Sequence, residues 1–112
     1  MPSRARIRST IASYGHASES LRELRAFHKA LADVTRLRMV ERLAGSSATV
    51  TELIEHVQLS QPLVSWHLRT LKAAGLVETR RSGREVICSL RAEAFARYAK
   101  RQRELLGLGV SS

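Results

Sequence analysis

The chain has 112 residues, the size of one domain, and 44% of them are hydrophobic while 26% are charged. This composition excludes a disordered or collagen-like chain. Lys and Arg number 19 against 10 Asp and Glu, which gives a formal net charge of +9. Such an excess favours a polyanionic partner, with nucleic acid as the first candidate, or an anionic membrane surface.

The sequence also indicates a compartment. No segment is apolar over the length needed to span a bilayer, and the arginine-rich N-terminus lacks the apolar part of a secretion signal. The single cysteine, Cys88, has no partner for an internal disulfide, and a zinc finger is excluded because no second cysteine is present. We therefore expect a cytoplasmic protein in a reducing environment.

The N-terminal part is predicted to be a basic arm followed by a first helix. Residues 1–19 are rich in Arg, Ser and Ala and have no sustained period. Ser20 and Glu23 have the spacing of a capping box, so the first helix and the folded domain, 20–107, are predicted to start at Ser20 and the helix to end near Ala32. Its expected buried stripe is Leu21, Leu24, Phe27, His28 and Leu31.

The second helix is predicted over about residues 34–44. Asp33 or Thr35 can serve as its N-cap, and Gly45 is placed as a stop at its C-terminus. The expected buried face is Leu37, Val40, Leu43 and Ala44.

Two short helices with a tight connection follow. Thr49 and Glu52 form a second capping box that starts the third helix, and Ser60 is a natural N-cap for the fourth, with Pro62 in its first turn. The fourth helix is predicted to stop at Gly75. The expected buried faces are Val50, Leu53, Ile54 and Val57 in the third helix and Val64, His67, Leu68 and Leu71 in the fourth.

This pair predicts a helix-turn-helix, whose second helix enters a major groove of DNA. Only a few residues separate the two helices, and polar groups occupy the outer face of the second one. These outer residues are Gln61, Ser65, Arg69 and Lys72.

After Gly75 the period changes to the alternation typical of strands. Residues 76–80 and 84–90 predict a β-hairpin around 81–83, with Val86, Cys88 and Leu90 facing inward. Its tip is a basic wing that can lie along or in the minor groove, where negative potential attracts arginine. The wing residues are Arg80, Arg81 and Arg84.

The C-terminal part is predicted to be a helix over 91–107 and a flexible tail over 108–112. The helix has one long stripe and little core to cover it, so a partner helix is expected. The stripe residues are Phe95, Tyr98, Gln102 and Leu105.

Four segments in this order closely resemble the ArsR/SmtB family of small bacterial and archaeal winged-helix repressors, over about residues 24–91. Residues 31–38 (LADVTRLR) are similar to the family's LADPTRLRIL, and residues 59–68 (LSQPLVSWHL) to its LSQSTVSRHL. Residues 71–77 (LKAAGLV) and the wing 80–84 (RRSGR) follow in family order. The resemblance implies a mainly α fold with a small β-hairpin (α+β), a winged helix-turn-helix.

The resemblance further implies a homodimer through the first and last helices, which represses an operon by binding an inverted-repeat operator in double-stranded DNA. The implied base-reading residues include Pro62, where the family often has Ser or Ala, and Trp66, where it has a polar or basic residue. The ring of Trp66 either touches a thymine methyl or sugar or covers protein surface. The predicted DNA-binding residues are Gln61, Pro62, Ser65, Trp66, Arg69, Arg80, Arg81 and Arg84.

Family members typically release DNA when a metal ion or another signal binds. Neither familiar metal site is present, since residues 49–57 contain no cysteine and residues 91–107 contain no His or Asp. The remaining candidate for nickel or zinc is a set near the first helix, for which a solvated polar face is favoured. This set is His16, Glu19, Glu23 and His28. No cofactor is assigned, and a metal, thiol oxidation, a small molecule or a partner protein stays open as the signal.

Two residues with reactive side chains are interpreted as structural. His67 shares the apolar face of the fourth helix, which favours a hydrogen-bonded core histidine. Cys88 alternates with apolar residues and is expected to act as a small hydrophobe rather than a redox sensor. No catalytic constellation is present, so an enzyme is not expected. The alternatives are a winged-helix module that binds protein and, less favoured, a membrane-surface protein.

Overall fold

The computed structural model describes residues 19–108. The predicted basic arm lies outside this range except for Glu19, as does the predicted tail except for Leu108. Within the described range the elements follow the predicted order, with one additional short strand. Their bounds are α1 (19–31), α2 (Val34–Gly45), β1 (Ala48–Thr49), α3 (Val50–Val57), α4 (Gln61–Ala73), β2 (Val77–Ser82), β3 (Glu85–Leu90) and α5 (Ala92–Leu105).

The predicted capping box of the first helix is wrong. The backbone is already helical at Glu19 and Ser20, so Ser20 is not an N-cap. The Glu23 carboxylate instead accepts a hydrogen bond from the guanidinium of Arg101 on α5. This bond, together with the positive charge of Arg101, lowers the pKa of Glu23. Glu23 therefore joins α1 to α5 rather than starting α1.

Aromatic rings fill the contact between α1 and α5. Phe27 stacks on Tyr98 with ring centroids 4.4 Å apart and meets Phe95 edge-on at 5.5 Å. Leu24 and Ala30 are buried about one turn on either side of Phe27. The central residues of both predicted stripes, Leu24, Phe27 and Tyr98, are buried as expected. Four other stripe residues are exposed instead of buried, namely Leu21, His28, Gln102 and Leu105.

Helix α2 is capped by Asp33, one of the two predicted N-caps, whose carboxylate accepts a hydrogen bond from the Arg36 N–H at 3.0 Å. Its buried residues are Arg36, Met39 and Leu43. Leu37 and Ala44, which were predicted to be buried, are exposed. Arg36 turns inward to a carbonyl near the end of α1, and Met39, about one turn later on the same face, is fully buried while Leu37 faces solvent.

Local signals mark both ends of α3 and the start of α4. The predicted capping box is confirmed, since the Thr49 hydroxyl accepts the Glu52 N–H at 3.1 Å and the Glu52 carboxylate accepts the Thr49 N–H at 3.0 Å. The latter bond lowers the pKa of Glu52. Gln58 ends α3 in the left-handed region at φ 55°, which reverses the chain toward α4. Ser60 occupies the N-cap position of α4 without a side-chain cap bond, and Pro62 lies in the first turn as predicted.

Helix α4 ends at a Schellman motif. The Gly75 N–H donates to the Lys72 carbonyl at 2.9 Å, and the Leu76 N–H donates to the Leu71 carbonyl at 3.0 Å. Gly75 has φ +75°, a conformation that costs glycine little. Leu71 and Leu76 are fully buried, so the motif turns the chain and fills the core below β2.

The predicted hairpin is part of a three-stranded antiparallel sheet with the order β1-β3-β2. The prediction missed β1, whose Ala48 pairs with Cys88 and Thr49 with Ile87. β2 and β3 pair over their full length, from Val77 opposite Leu90 to Ser82 opposite Glu85. The sheet therefore joins the start of α3 to the hairpin, which fixes the hairpin beside the helix-turn-helix.

The predicted inner face of α4 is confirmed. Val64, His67, Leu68 and Leu71 are all buried. Leu53 and Val57 of α3 are buried against it, and Cys88 is fully buried as predicted. In the described part of the chain, no helix is both long and apolar enough to cross a membrane.

Candidate nucleic-acid interface

One face of α4 is polar and open. Gln61, Arg69 and Lys72 are exposed and Ser65 is half-buried, while the opposite face lies in the core. Positions 61, 65, 69 and 72 are spaced by four, four and three residues, so they follow one side of the helix over three turns. The helix thus presents a continuous row of hydrogen-bonding groups with two positive charges at its C-terminal half.

This row forms one wall of a groove of about 730 Å³ whose other wall is the hairpin. The start of α3 closes one end through Thr49, Val50 and Thr51. The charged lining residues are Arg69, Lys72, Arg84 and Glu85, so positive charge exceeds negative charge inside the groove. A groove of this polarity attracts an anion that runs along it.

The hairpin turn consists of Gly83 and Arg84 rather than the predicted 81–83, so Arg80 and Arg81 belong to strand β2. Gly83 has φ +63° and Arg84 a non-positive φ, the signs expected of a type II′ turn that matches the twist of the flanking strands. Arg81 pairs with Val86 and so shares the strand face of Thr79 and Val86, which line the groove. Arg80 lies on the other face. The predicted wing residues are therefore all exposed but point to two sides.

The structure separates Trp66 from the groove. Trp66 is 53% exposed and lies on the flank of α4, where the Arg36 guanidinium is 5.8 Å from the ring centroid. Pro62, one turn earlier on the same flank, is exposed at the N-terminal turn of α4. The predicted residues thus form two groups, Gln61, Ser65 and Arg69 in the groove and Pro62 and Trp66 beside it.

Behind α4 lies a buried polar network that the sequence pattern did not reveal. The Arg36 guanidinium donates to the Ala30 carbonyl at 2.6 Å and to His67 Nδ1 at 3.0 Å. Since arginine has no acceptor, His67 must accept through Nδ1 and carries its proton on Nε2. The Asp33 carboxylate lies 3.8 Å from the same Nδ1. The predicted hydrogen-bonded core histidine is confirmed, and its partner is Arg36, 31 positions earlier in the chain.

Cys88 is a core residue. It is fully buried in β3 between β1 and β2, and burial raises the pKa of its thiol, an effect that the positive charge of Lys72 partly offsets. A buried thiol with a raised pKa has little thiolate at neutral pH. The expected inert role is in accord with this environment.

The candidate metal residues are dispersed in the part that the structure describes. His16 lies outside this part, Glu23 pairs with Arg101, and His28 is exposed with its ring against Phe27. Among residues 19–108, no three His, Cys, Asp or Glu side chains are placed to hold a metal ion.

Comparison with known proteins places this geometry in a family. The family model described as bacterial regulatory protein, arsR family, matches residues 33–79. An arsenical resistance operon repressor of Staphylococcus xylosus is 32% identical over 87 residues, which are 78% of this chain and 83% of that protein. The chain belongs to the ArsR family.

Two further relatives extend the comparison. The transcriptional repressor SmtB of Mycobacterium tuberculosis is 48% identical over 62 residues, 55% of this chain but 46% of that protein, so the matched part spans about half its length. A homodimeric winged helix-turn-helix DNA-binding domain from Mycobacterium bovis superimposes with a TM-score of 0.66 and 27% identity, covering 76% of this chain and 80% of that one. The ArsR-family chain therefore has the winged helix-turn-helix fold predicted from its sequence.

Proposed function

We propose that this ArsR-family chain is a sequence-specific DNA-binding transcriptional repressor that binds an inverted-repeat operator as a homodimer. The observation that carries the proposal is the groove that α4 and the hairpin form together. An α-helix fits the major groove of B-DNA, and the wing then lies over the adjoining backbone or minor groove. Family membership and the repressors among its relatives support the same function.

Within the groove the side chains divide by role. Gln61 and Ser65, near the N-terminal end of α4, are the proposed base-reading residues, since the N-terminal residues of a recognition helix contact base edges. Pro62 adds an apolar contact at the same end. Arg69 and Lys72 are proposed to neutralise phosphates. We do not place Trp66 among the base contacts, because its ring faces Arg36 on the flank of α4.

The wing supplies further contacts of the same kind. Arg81 and Arg84 lie on the groove side or at the turn, where an adjoining phosphate or the minor groove is in reach. Arg80 lies on the opposite strand face and is proposed to contribute less than Arg81. The wing therefore adds affinity more than sequence discrimination.

An apolar end shared by α1 and α5 supports the homodimer. The ion pair of Glu23 with Arg101 brings the N-terminal half of α1 beside the C-terminal half of α5. Large apolar side chains lie exposed near this end, and burial against a second copy would remove them from water. They are Leu21, Leu105, Leu106 and Leu108. The Mycobacterium bovis relative, a homodimer, supports this assembly.

Lys72→Ala and Lys100→Ala test the proposal as a matched pair. Each removes one positive charge from an exposed lysine, but only Lys72 lines the groove. With labelled duplex from upstream of the gene, fluorescence anisotropy at several salt concentrations gives the slope of log affinity against log salt. We expect Lys72→Ala to reduce this slope by about 1 and Lys100→Ala to leave it unchanged. An equal effect of the two substitutions would mean that DNA does not bind in the groove.

A further inference from the structure

A second pocket lies on the flank of α4, outside the DNA groove. It has a volume of about 350 Å³, at the lower end of the range of roughly 300–1,000 Å³ typical of small-molecule sites. Its walls are mostly the small side chains of α1 and of the C-terminal end of α4, and one side is the indole of Trp66. The wall includes four alanines, Ala26, Ala30, Ala73 and Ala74, together with Lys29, Arg36 and Trp66.

Arg36 brings a positive charge to the wall of this pocket. The side chain is buried, with 9% of the residue exposed. All its hydrogen-bond acceptors are neutral, namely the Lys29 and Ala30 carbonyls and the unprotonated Nδ1 of His67. Among the described residues no carboxylate forms a direct ion pair with the guanidinium; the Asp33 carboxylate accepts from the Arg36 backbone N–H and lies 3.8 Å from His67 Nδ1. A buried cation that forms no direct ion pair favours an anion beside it.

Lys29 strengthens this preference. It is exposed on α1 and lines the same pocket, so two of the lining residues are cationic and none is acidic. Arginine binds a planar carboxylate with two parallel hydrogen bonds when it has free N–H groups, and lysine can add a third. The two cationic residues that border this mostly apolar pocket are thus complementary to a carboxylate.

The rest of the pocket is complementary to an aromatic ring. The Trp66 indole is more than half exposed, and the methyl groups of four alanines line the same pocket. A flat ring can stack on the indole face and cover these methyl groups at the same time. We propose that this pocket binds a small aromatic carboxylate, with its ring against Trp66 and its carboxylate at Arg36 and Lys29. This binding does not depend on whether α4 reads DNA.

Trp66 makes the proposal directly measurable. It is the only tryptophan of the chain, so intrinsic fluorescence reports on the pocket itself. In titrations of the full chain we expect benzoate to change this fluorescence saturably. We expect benzamide, which has the same ring without the charge, to bind about tenfold more weakly or worse, because the charge-assisted hydrogen bonds are lost.

A variant that fills the pocket provides the second test. Ala26 is exposed and lines the pocket, whereas Ala96 is exposed on α5 and does not. Ala26→Leu is expected to weaken benzoate binding about tenfold, and Ala96→Leu to leave it unchanged, with the helix content of both variants checked by circular dichroism.

Three results would overturn the proposal. One is equal binding of benzoate and benzamide, and another is benzoate binding that Ala26→Leu does not alter. The third is a change in Trp66 fluorescence with protein concentration together with no response to benzoate, which would mean that a second copy of the chain covers the pocket.

Discussion

At the scale of single residues, Gln61 decides whether the groove reads sequence. It is exposed at the first position of α4, and an amide side chain can form two hydrogen bonds to one adenine. We expect Gln61→Ala to lose about 1–3 kcal/mol of discrimination at one base pair of the operator, with little change in binding to scrambled DNA. Anisotropy with a set of operators carrying single base-pair changes measures this loss.

Arg81→Ala is the comparison for Gln61→Ala. A phosphate contact carries no sequence information, so this substitution is expected to weaken binding to operator and scrambled duplex alike. If Gln61→Ala also lowers both affinities equally, α4 is not the reading helix.

The burial and contacts of two single residues, Arg36 and Trp66, were the features that the sequence predicted least well. Arg36 looks like a solvated helix residue, and its burial depends on His67, 31 positions away, and on carbonyls that only the folded α1–α2 corner brings into reach. For the same reason, the sequence left open whether Trp66 contacts DNA or covers protein surface, because residues of α1 and α2 surround it. By contrast, the buried positions of α4 follow from helical spacing alone, and they were predicted correctly.

At the scale of elements, the capping box that starts α3 tests how the helix-turn-helix is held. Thr49→Ala removes the hydroxyl that accepts the Glu52 N–H and is expected to lower the free energy of unfolding by about 1 kcal/mol. Thr51→Ala, an exposed position in the same helix, is the control and is expected to change it by less than about 0.5 kcal/mol. Chemical denaturation of both variants gives the comparison, and equal losses would mean that the cap does not stabilise α3.

Elements with strong local signals were predicted best. The caps at Asp33 and Thr49 and the glycine stop at Gly75 act within a few residues, so their patterns are visible in sequence. The strand β1 has two residues, too few to show alternation, and exists because β3 pairs with it across 40 positions at Ala48 and Cys88. The start of α1 was misplaced because Glu23, which fitted a capping box, is held by Arg101 of α5.

At the scale of the whole molecule, the net charge of +9 and the basic groove predict binding dominated by phosphate neutralisation. For about 6–10 phosphate contacts, affinity is expected to fall by roughly 10³–10⁵ between about 50 and 200 mM salt. Two copies of α4 in a homodimer would read half-sites about one helical turn apart. The winged helix-turn-helix fold was predicted from four short segments, 31–38, 59–68, 71–77 and 80–84. These segments include the residues of α4 and of the hairpin that form the groove.

The most direct measurement compares the affinity of the chain for duplex DNA from upstream of its gene with that for a scrambled duplex, by anisotropy at one fixed salt concentration. We expect the upstream duplex to bind at least about 10³-fold more tightly. Equal affinity for the two duplexes, or no salt-dependent binding to either, would contradict it and would favour a winged-helix module that binds protein.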